Sequence, residues 1–443
     1  MTNRNRNSYI QSRGLALVAV LWLVVILIVI VTVAGRTVRL DSRVSLNAAE
    51  QVRAKWALRA GVEKAIAILK DDDTENDTLS DTWTDPIAGD TEDSGTELQG
   101  IQLDGCTAFV EIKDEAAKLN LNTATKAQLV ELPGMTEEIA ASLLDWRDKD
   151  DDPGTGGGER GYYLNLDIGY QIRNGDFKTV CELLLVKGVT PEIFWGQQYE
   201  RQAVLKRNTW LYPGNQKNER PAKEEENSRQ GLFAYLTCYS YDRDQDAGGN
   251  DRVNINTADE NRLTGGLSLT KSQAKWIVDN RKDNYKSIAD LIDENSKKEP
   301  DKDQPDNPDQ AQPLDLQTFA DIADKITVAG EETLPGRVNV NTASHAVLAA
   351  LLEGDHTLAD SIIQYRQSAA AGLSDIGELL KVKGLTVNTF KKIADQVTTR
   401  SSVFEVHTMV LSQRTRAIHQ VDAIVDRRPS PAAILYWRQG EDH

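Results

Sequence analysis

Acidic side chains are the residues best placed to do chemistry in this chain. Asp148, Asp150, Asp151 and Asp152 crowd one short stretch, and Glu159 follows across a glycine-rich segment. Hard oxygen donors gathered on a loop suit calcium, which takes about six to eight oxygens and tolerates irregular geometry. The same composition is also that of a solvated acidic loop after a helix. Asp242, Asp244 and Asp246 start like a calcium-binding helix–loop–helix, but Ala247 stands at its glycine position and Val253 at its last acidic one, so they read as a solvated turn. Gly156–Gly161 (GGGERG) has the letters of a dinucleotide fingerprint but follows an acidic loop instead of a strand. The histidines (His345, His356, His407, His419, His443) lack ligand spacing. Cys106, Cys181 and Cys238 are too few and scattered for a zinc site or disulfide framework, although one pair could oxidise outside the cytoplasm. Neither a nucleophile elbow nor a phosphate loop is found. The chain is read as non-enzymatic.

Glycine hairpins carry a second possible chemistry. Gly134 closes a Leu-Pro-Gly turn, and Gly188 and Gly384 each close a Val-Lys-Gly turn. Such turns can bring backbone amides to a phosphate at a helix N-terminus, with Lys381 and Lys383 beside Gly384 as further contacts. Charge weighs against nucleic acid. The 443 residues carry a formal net charge of −17, whereas binding a polyphosphate rests on Lys and Arg displacing counterions. The segment 118–200 holds fourteen acidic and eight basic residues, and 337–400 six and seven. The hairpins therefore read first as packing modules, with Leu132, Ile139, Leu143 and Trp146 as core residues at helical spacing.

The elements that hold these turns repeat. LNLNTA (Leu119–Ala124), VNINTA (Val253–Ala258) and VNVNTA (Val338–Ala343) each precede a helical pattern. The threonine (Thr123, Thr257, Thr342) or the asparagine before it suits an N-cap. The first and third units have a second half, FKTVCELLLVKG (Phe177–Gly188) and LSDIGELLKVKG (Leu373–Gly384); the second reaches SIADLID (Ser287–Asp293) without a hairpin and reads as degenerate or truncated. The first and third units are similar to the helix-hairpin-helix family. Residues 101–115 read as a strand, Leu232–Tyr239 could add another, and three alternating segments after Ser402 read as a meander.

Before these modules, Leu15–Ala34 is twenty residues without a charge, enough as a helix to cross about 30 Å of hydrocarbon. Arg4, Arg6 and Arg13 precede it with no acidic residue, which places the leader in the cytoplasm. A signal peptide and a plain single-pass anchor share these features. Residues 44–70 continue the helical pattern, with Ala57, Val62, Ile66 and Leu69 as apolar surface and Val52, Trp56, Ala60 and Lys64 on one face. Asp71–Glu97 holds eleven acidic residues and no basic one, a solvated linker ordered around Trp83.

Arg13-Gly14 before the apolar run resembles a type IV prepilin leader, which implies cleavage between Gly14 and Leu15 and methylation of the new amino terminus. Such leaders have Phe first and Glu fifth in the mature chain; here Leu15 and Ala19 stand there. In a filament that glutamate offsets a neighbour's ammonium group, which would be costly unpaired in an apolar bundle. Ala19 therefore suits a tip position. Together with DEAAKLNLNTA (Asp114–Ala124), DWRDKDD (Asp145–Asp151), ERGYY (Glu159–Tyr163) and the C-terminal strands, the chain resembles the K-type minor pseudopilins of bacterial type II secretion.

That resemblance implies an α+β fold, with a transmembrane and stem helix, a pilin-like antiparallel sheet and inserted helix-hairpin-helix or SAM-like domains. It also implies calcium at the acidic loop. The expected order is leader 1–14, transmembrane and stem helix 15–70, acidic linker 71–98, strand region 99–117, helical domain 118–211 and linker 212–230. A strand with the degenerate repeat (231–295), a linker (296–335), a third repeat (336–400) and pilin-like strands (401–443) complete it. The implied role is initiating and capping a pseudopilus for export of folded proteins, from the inner membrane with most of the chain in the periplasm. Implied partners are other minor pseudopilins, the prepilin peptidase, the inner-membrane assembly platform and membrane lipid. The competing reading is a membrane-anchored helix-hairpin-helix DNA-binding protein of the competence type.

Overall fold

A computed structural model describes residues 9–72, 75–84, 98, 100–196, 230–281, 284–292, 310–369 and 372–441. Tyr9–Asp71 form one unbroken helix, α1, of 63 residues, on the order of 95 Å long. Its part from Leu15 exposes Leu, Val and Ile on every side, and it is the single helix among the described residues long and apolar enough to cross a membrane. The second half changes character. Ala54, Leu58, Val62, Ala65 and Leu69 recur every three or four residues and are buried, the stripe a helix needs to lie on a sheet. Val52 and Trp56 point away and are exposed. Gly61 sets the distance, because a Cβ there would fall 2.5 Å from Thr408 Cγ2 and 3.2 Å from Val110 Cγ2.

The sheet under α1 has five antiparallel strands in the order β1 (Ile101–Leu103), β2 (Cys106–Asp114), β11 (Val403–Ser412), β12 (Ile418–Asp426), β13 (Ala433–Glu441). Leu58, Val62 and Leu69 of α1 meet Val110, Phe404 and Val406 in one core; burying each such side chain contributes about 1.5–3 kcal/mol. The acidic stretch after α1 was expected to be solvated, yet its described part, 75–84, folds onto this sheet. Trp83 packs edge-on against Phe404 at 5.2 Å. Asp77 is fully buried, receiving two hydrogen bonds of 2.7 Å from Arg427 and one of 2.7 Å from the Ser401 amide. A buried carboxylate is tolerated when so paired. Most of the remainder of that linker, like 212–229 of the next, lies outside the described residues.

Between β2 and β11 the chain builds three helical modules, each clasped by a two-residue parallel pair: β3 (Leu119–Asn120) with β4 (Leu236–Thr237), β6 (Val253–Asn254) with β7 (Ile326–Thr327), and β9 (Val338–Asn339) with β10 (Val397–Thr398). β5 (Tyr241–Arg243) and β8 (Thr333–Pro335) pair across the joints. Helices α2 (Lys126–Val130), α3 (Glu137–Arg147), α4 (Arg160–Leu164) and α5 (Pro191–Trp195) belong to the first module. The second has α6 (Glu260–Leu267), α7 (Lys271–Asp279) and α8 (Leu316–Ile322); the third has α9 (His345–Leu351), α10 (His356–Ser368) and α11 (Val387–Ile393).

Two expectations are corrected here. The span 296–335 is not a linker throughout: Leu314, Phe319 and Ile326 are buried, and β7 closes the second module. That module is complete, its last helix arriving after a polar excursion that hid it from a local reading. Residues 231–239 are not the start of the second repeat but the end of the first, with only Leu236–Thr237 as strand.

The Asn-Thr-Ala signature is explained by two staples. The second asparagine of each unit grips a distant backbone: Asn122 with Phe177 (2.7 and 3.1 Å), Asn256 with Tyr285 (2.8 and 2.9 Å), Asn341 with Leu373 (2.8 and 2.9 Å). An arginine near the end of the second helix caps the carbonyls of the same turn: Arg147 to Leu121 and Ala124, Arg281 to Ala258, Arg366 to Val340 and Ala343. The helix caps come later in the chain than expected, at Thr125, Asp259 and Ser344. All three modules share one apolar core. The residue before each clasp is a buried cation with carboxylate partners: Lys118 with Glu115 and Glu405, Arg252 with Asp242 and Asp324, Arg337 with Asp242. Asp242 is thus the centre of a buried ion-pair group, not part of a solvated turn.

Candidate cation site and hairpin loops

Helix α3 ends at Arg147 and is followed by its cap Asp148, whose extended backbone turns the chain into the glycine-rich loop. Asp145, one turn earlier, accepts the Gly154 amide at 3.1 Å and is buried under that loop. The glycines are needed for space, since a Cβ on Gly157 would fall 1.9 Å from Asp145 Oδ2. The loop returns the chain to Glu159 at the start of α4. Carboxylate oxygens of Asp145, Asp148 and Glu159 lie within 4.8 Å of one another.

Three of these oxygens lack the partners that buried charges require. Asp148 Oδ1 and both Glu159 oxygens are buried and accept no hydrogen bond. Burial, aided by the charge of Asp148, with smaller pushes from Asp145 and Asp151, raises the Glu159 carboxyl to about 7; burial, Asp150 and Asp145 likewise raise Asp148. Buried anions without hydrogen bonds are expensive unless a cation or proton joins them. The donor set fits a hard divalent cation, being oxygen alone from three carboxylates.

The predicted ligands divide. Asp148 and Glu159 come together, joined by Asp145, which reading the acidic run alone missed; its one-turn spacing from Asp148 was the available signal. Asp150, Asp151 and Asp152 are exposed and point elsewhere: Asp150 accepts the Asp152 amide at 3.0 Å, and Asp151 accepts from Asn174 at 3.1 Å. Lys187 braces the loop, donating to the carbonyls of Gly156 and Gly157 at 3.1 and 2.7 Å.

The hairpin glycines adopt the left-handed backbone their turns require, Gly134 at φ +83°, Gly188 at +86° and Gly384 at +91°. Their surroundings differ. Beyond Gly134, Glu137 and Glu138 occupy the first turn of α3, where a phosphate would have to sit. Lys187 beside Gly188 is committed to the loop carbonyls. Around Gly384, Lys381 meets Glu378 at 3.4 Å, Lys392 meets Glu353 at 2.8 Å and Lys391 donates to the Ile292 carbonyl, while Lys383 is exposed. The preceding hairpin of the third module is covered, because a Cβ on Gly354 would lie 2.9 Å from Glu131 Oε2. Gly14, Leu15 and Ala19 all lie within α1, with Leu15 and Ala19 exposed.

These features define an α+β protein with a membrane-length stem helix packed on an antiparallel sheet and helix-hairpin-helix modules inserted between two neighbouring strands. Residues 108–196, which include the carboxylate group, match the family described as type II secretion system (T2SS), protein K, and residues 336–398 match the helix-hairpin-helix motif. The chain thus resembles a K-type minor pseudopilin with helix-hairpin-helix repeats.

Its fold is similar to a chain of the GspK-GspI-GspJ complex from the type 2 secretion system of enterotoxigenic Escherichia coli. The TM-score is 0.49 and the identity 14%, over 90% of this chain and 99% of that one. It is also similar to endonuclease/exonuclease/phosphatase family domain-containing protein 1 of Rattus norvegicus (26% identical) and Bos taurus (27%), over 186 residues or 42% of this chain. The chain spans about a quarter of the length of these curated relatives, 26% of each.

Proposed function

We propose that this protein is a minor pseudopilin of type II secretion that sits at the tip of the pseudopilus, where it initiates and caps assembly. The observation that carries the reading is the protein K match over 108–196, in a chain whose stem helix leaves the sheet and runs on as an exposed apolar span. The span anchors the chain in the bacterial inner membrane among lipid, with the sheet and modules in the periplasm. The prepilin peptidase cuts between Gly14 and Leu15 and methylates Leu15. Other minor pseudopilins bundle against the stem, and the assembly platform draws them from the membrane.

Tip placement follows from charge. Ala19 offers no carboxylate to an incoming ammonium group, so a subunit added above would bury that charge unpaired. The helical modules, inserted between β2 and β11, leave the sheet at Asp114 and Phe404, by the end of α1 remote from Ala19, where their bulk would block a subunit arriving above. Calcium held by Asp145, Asp148 and Glu159, with water completing its shell, would fix α3 to α4 and stiffen the first module. Mass spectrometry of the membrane form tests the processing step. An amino-terminal methyl-leucine at Leu15 is expected, and an intact leader in the working form would refute it.

The helix-hairpin-helix match favours a second reading, contact with duplex DNA through Gly384 and Lys383. The engaged lysines nearby and the acidic first turn after Gly134 count against it. Salt-sensitive retention of the protein on duplex DNA at low ionic strength would support this second reading; no retention removes it.

A further inference from the structure

We infer that the first module carries a docking face for a basic, apolar segment of another protein. Beyond α1, the described residues expose seven large apolar side chains, and five of them belong to this module: Tyr162, Leu164, Ile168, Leu184 and Leu185. Ile168 is 85% exposed. Close contacts hold the surface around them in place. Lys187 lies over the Tyr162 ring at 4.9 Å. The Tyr170 hydroxyl donates to the Leu185 carbonyl at 2.5 Å. Leu164 and Gly169 close the turn that presents Ile168, for a Cβ on Gly169 would fall 2.6 Å from the Leu164 oxygen. An apolar cluster held rigid on a soluble surface marks an interaction site when polar groups rim it.

The rim selects the partner. The module 118–196 holds thirteen acidic residues against eight basic ones, and two of its cations are paired: Arg160 lies 3.9 Å from Asp151 and Arg173 is bound by Glu182 at 2.9 Å. Asp150, Asp152 and Asp167 of the same module are exposed. The residual field is negative, so charge complementarity calls for Lys or Arg flanking the apolar side chains that fill the cluster. The inference goes beyond the pseudopilin reading and does not depend on it.

The test uses the full chain in detergent and two labelled synthetic amphipathic peptides, one of leucine and lysine and one of leucine and glutamate. The wild type is expected to bind the leucine–lysine peptide in a salt-sensitive manner. The double variant Ile168→Ser/Leu185→Ser should bind it roughly tenfold more weakly, about 1.4 kcal/mol, with an unchanged melting temperature because both side chains are solvent-facing. Equal binding by the variant, or equal binding of the leucine–glutamate peptide, overturns the proposal. Self-association of the wild type that the variant relieves would also overturn it, making a second copy the occupant.

Discussion

Replacing Glu159 with Gln should act in opposite directions on the metal-free and calcium-loaded protein. Without metal, Glu159 is a buried carboxyl held near 7 by burial and by Asp148, with both oxygens unpartnered. Its folded value lies above its ordinary one, so its contribution to stability is present at low pH and is lost as pH rises through about 7. The glutamine removes that loss, and the metal-free variant should melt higher than wild type at pH about 8. With calcium the order reverses. A ligand at about a hundred times its Kd stabilises by ~2.7 kcal/mol, or roughly 5–10 °C if the helical body melts as a unit of about 200 residues.

The variant, lacking one of three carboxylates, should lose most of this increment. In the wild type the increment should shrink from pH about 8 to pH about 6, because protons compete for the same oxygens. Thermal melting with excess chelator and with excess calcium reads all of these. A variant that melts lower without metal yet keeps the full calcium increment would refute the assignment.

Other perturbations probe the frame and the placement. Gly61→Val forces a side chain into the 2.5 Å gap before Thr408; denaturant titration should find the stem–sheet unit weaker by about 1–3 kcal/mol. Asn341→Leu strips a buried staple from the Leu373 amide and carbonyl, which should cost about 2–4 kcal/mol by the same titration. Ala19→Glu gives the stem a carboxylate for an incoming ammonium group, and cross-linking along isolated filaments should then find the chain below the tip as well as at it. Finding the unmodified protein spaced along the shaft would defeat that reasoning.

The order of the fold could be read from residue patterns because its strongest signals are local. An uncharged run of twenty residues, an apolar stripe on α1 and the recurring Asn-Thr-Ala turns each announce an element within a short window. What could not be read is pairing at a distance. The stretch from Leu316 to Thr327 reads like the tail of a polar linker because Val253–Asn254, the partner of Ile326–Thr327, lies far upstream; only that parallel clasp shows that it completes a module. Trp83 hinted at order in an acidic stretch, but Arg427, which neutralises Asp77 there, enters from the far end of the chain. The candidate cation site was half visible. Asp148 and Glu159 were marked by the density of carboxylates, whereas Asp150–Asp152, denser still, turn to solvent because they follow the end of α3, and Asp145 hides within the helix.

The clasps imply how such a chain can grow. Each module starts and finishes side by side, and the whole helical body does the same, leaving the sheet at Asp114 and re-entering opposite it at Phe404. A segment whose two ends meet can be copied into a loop or cut out of one without moving anything on either side. Three successive sutures of this kind, enclosed by a fourth at the sheet, make the length between β2 and β11 free to vary while the stem and sheet keep their register.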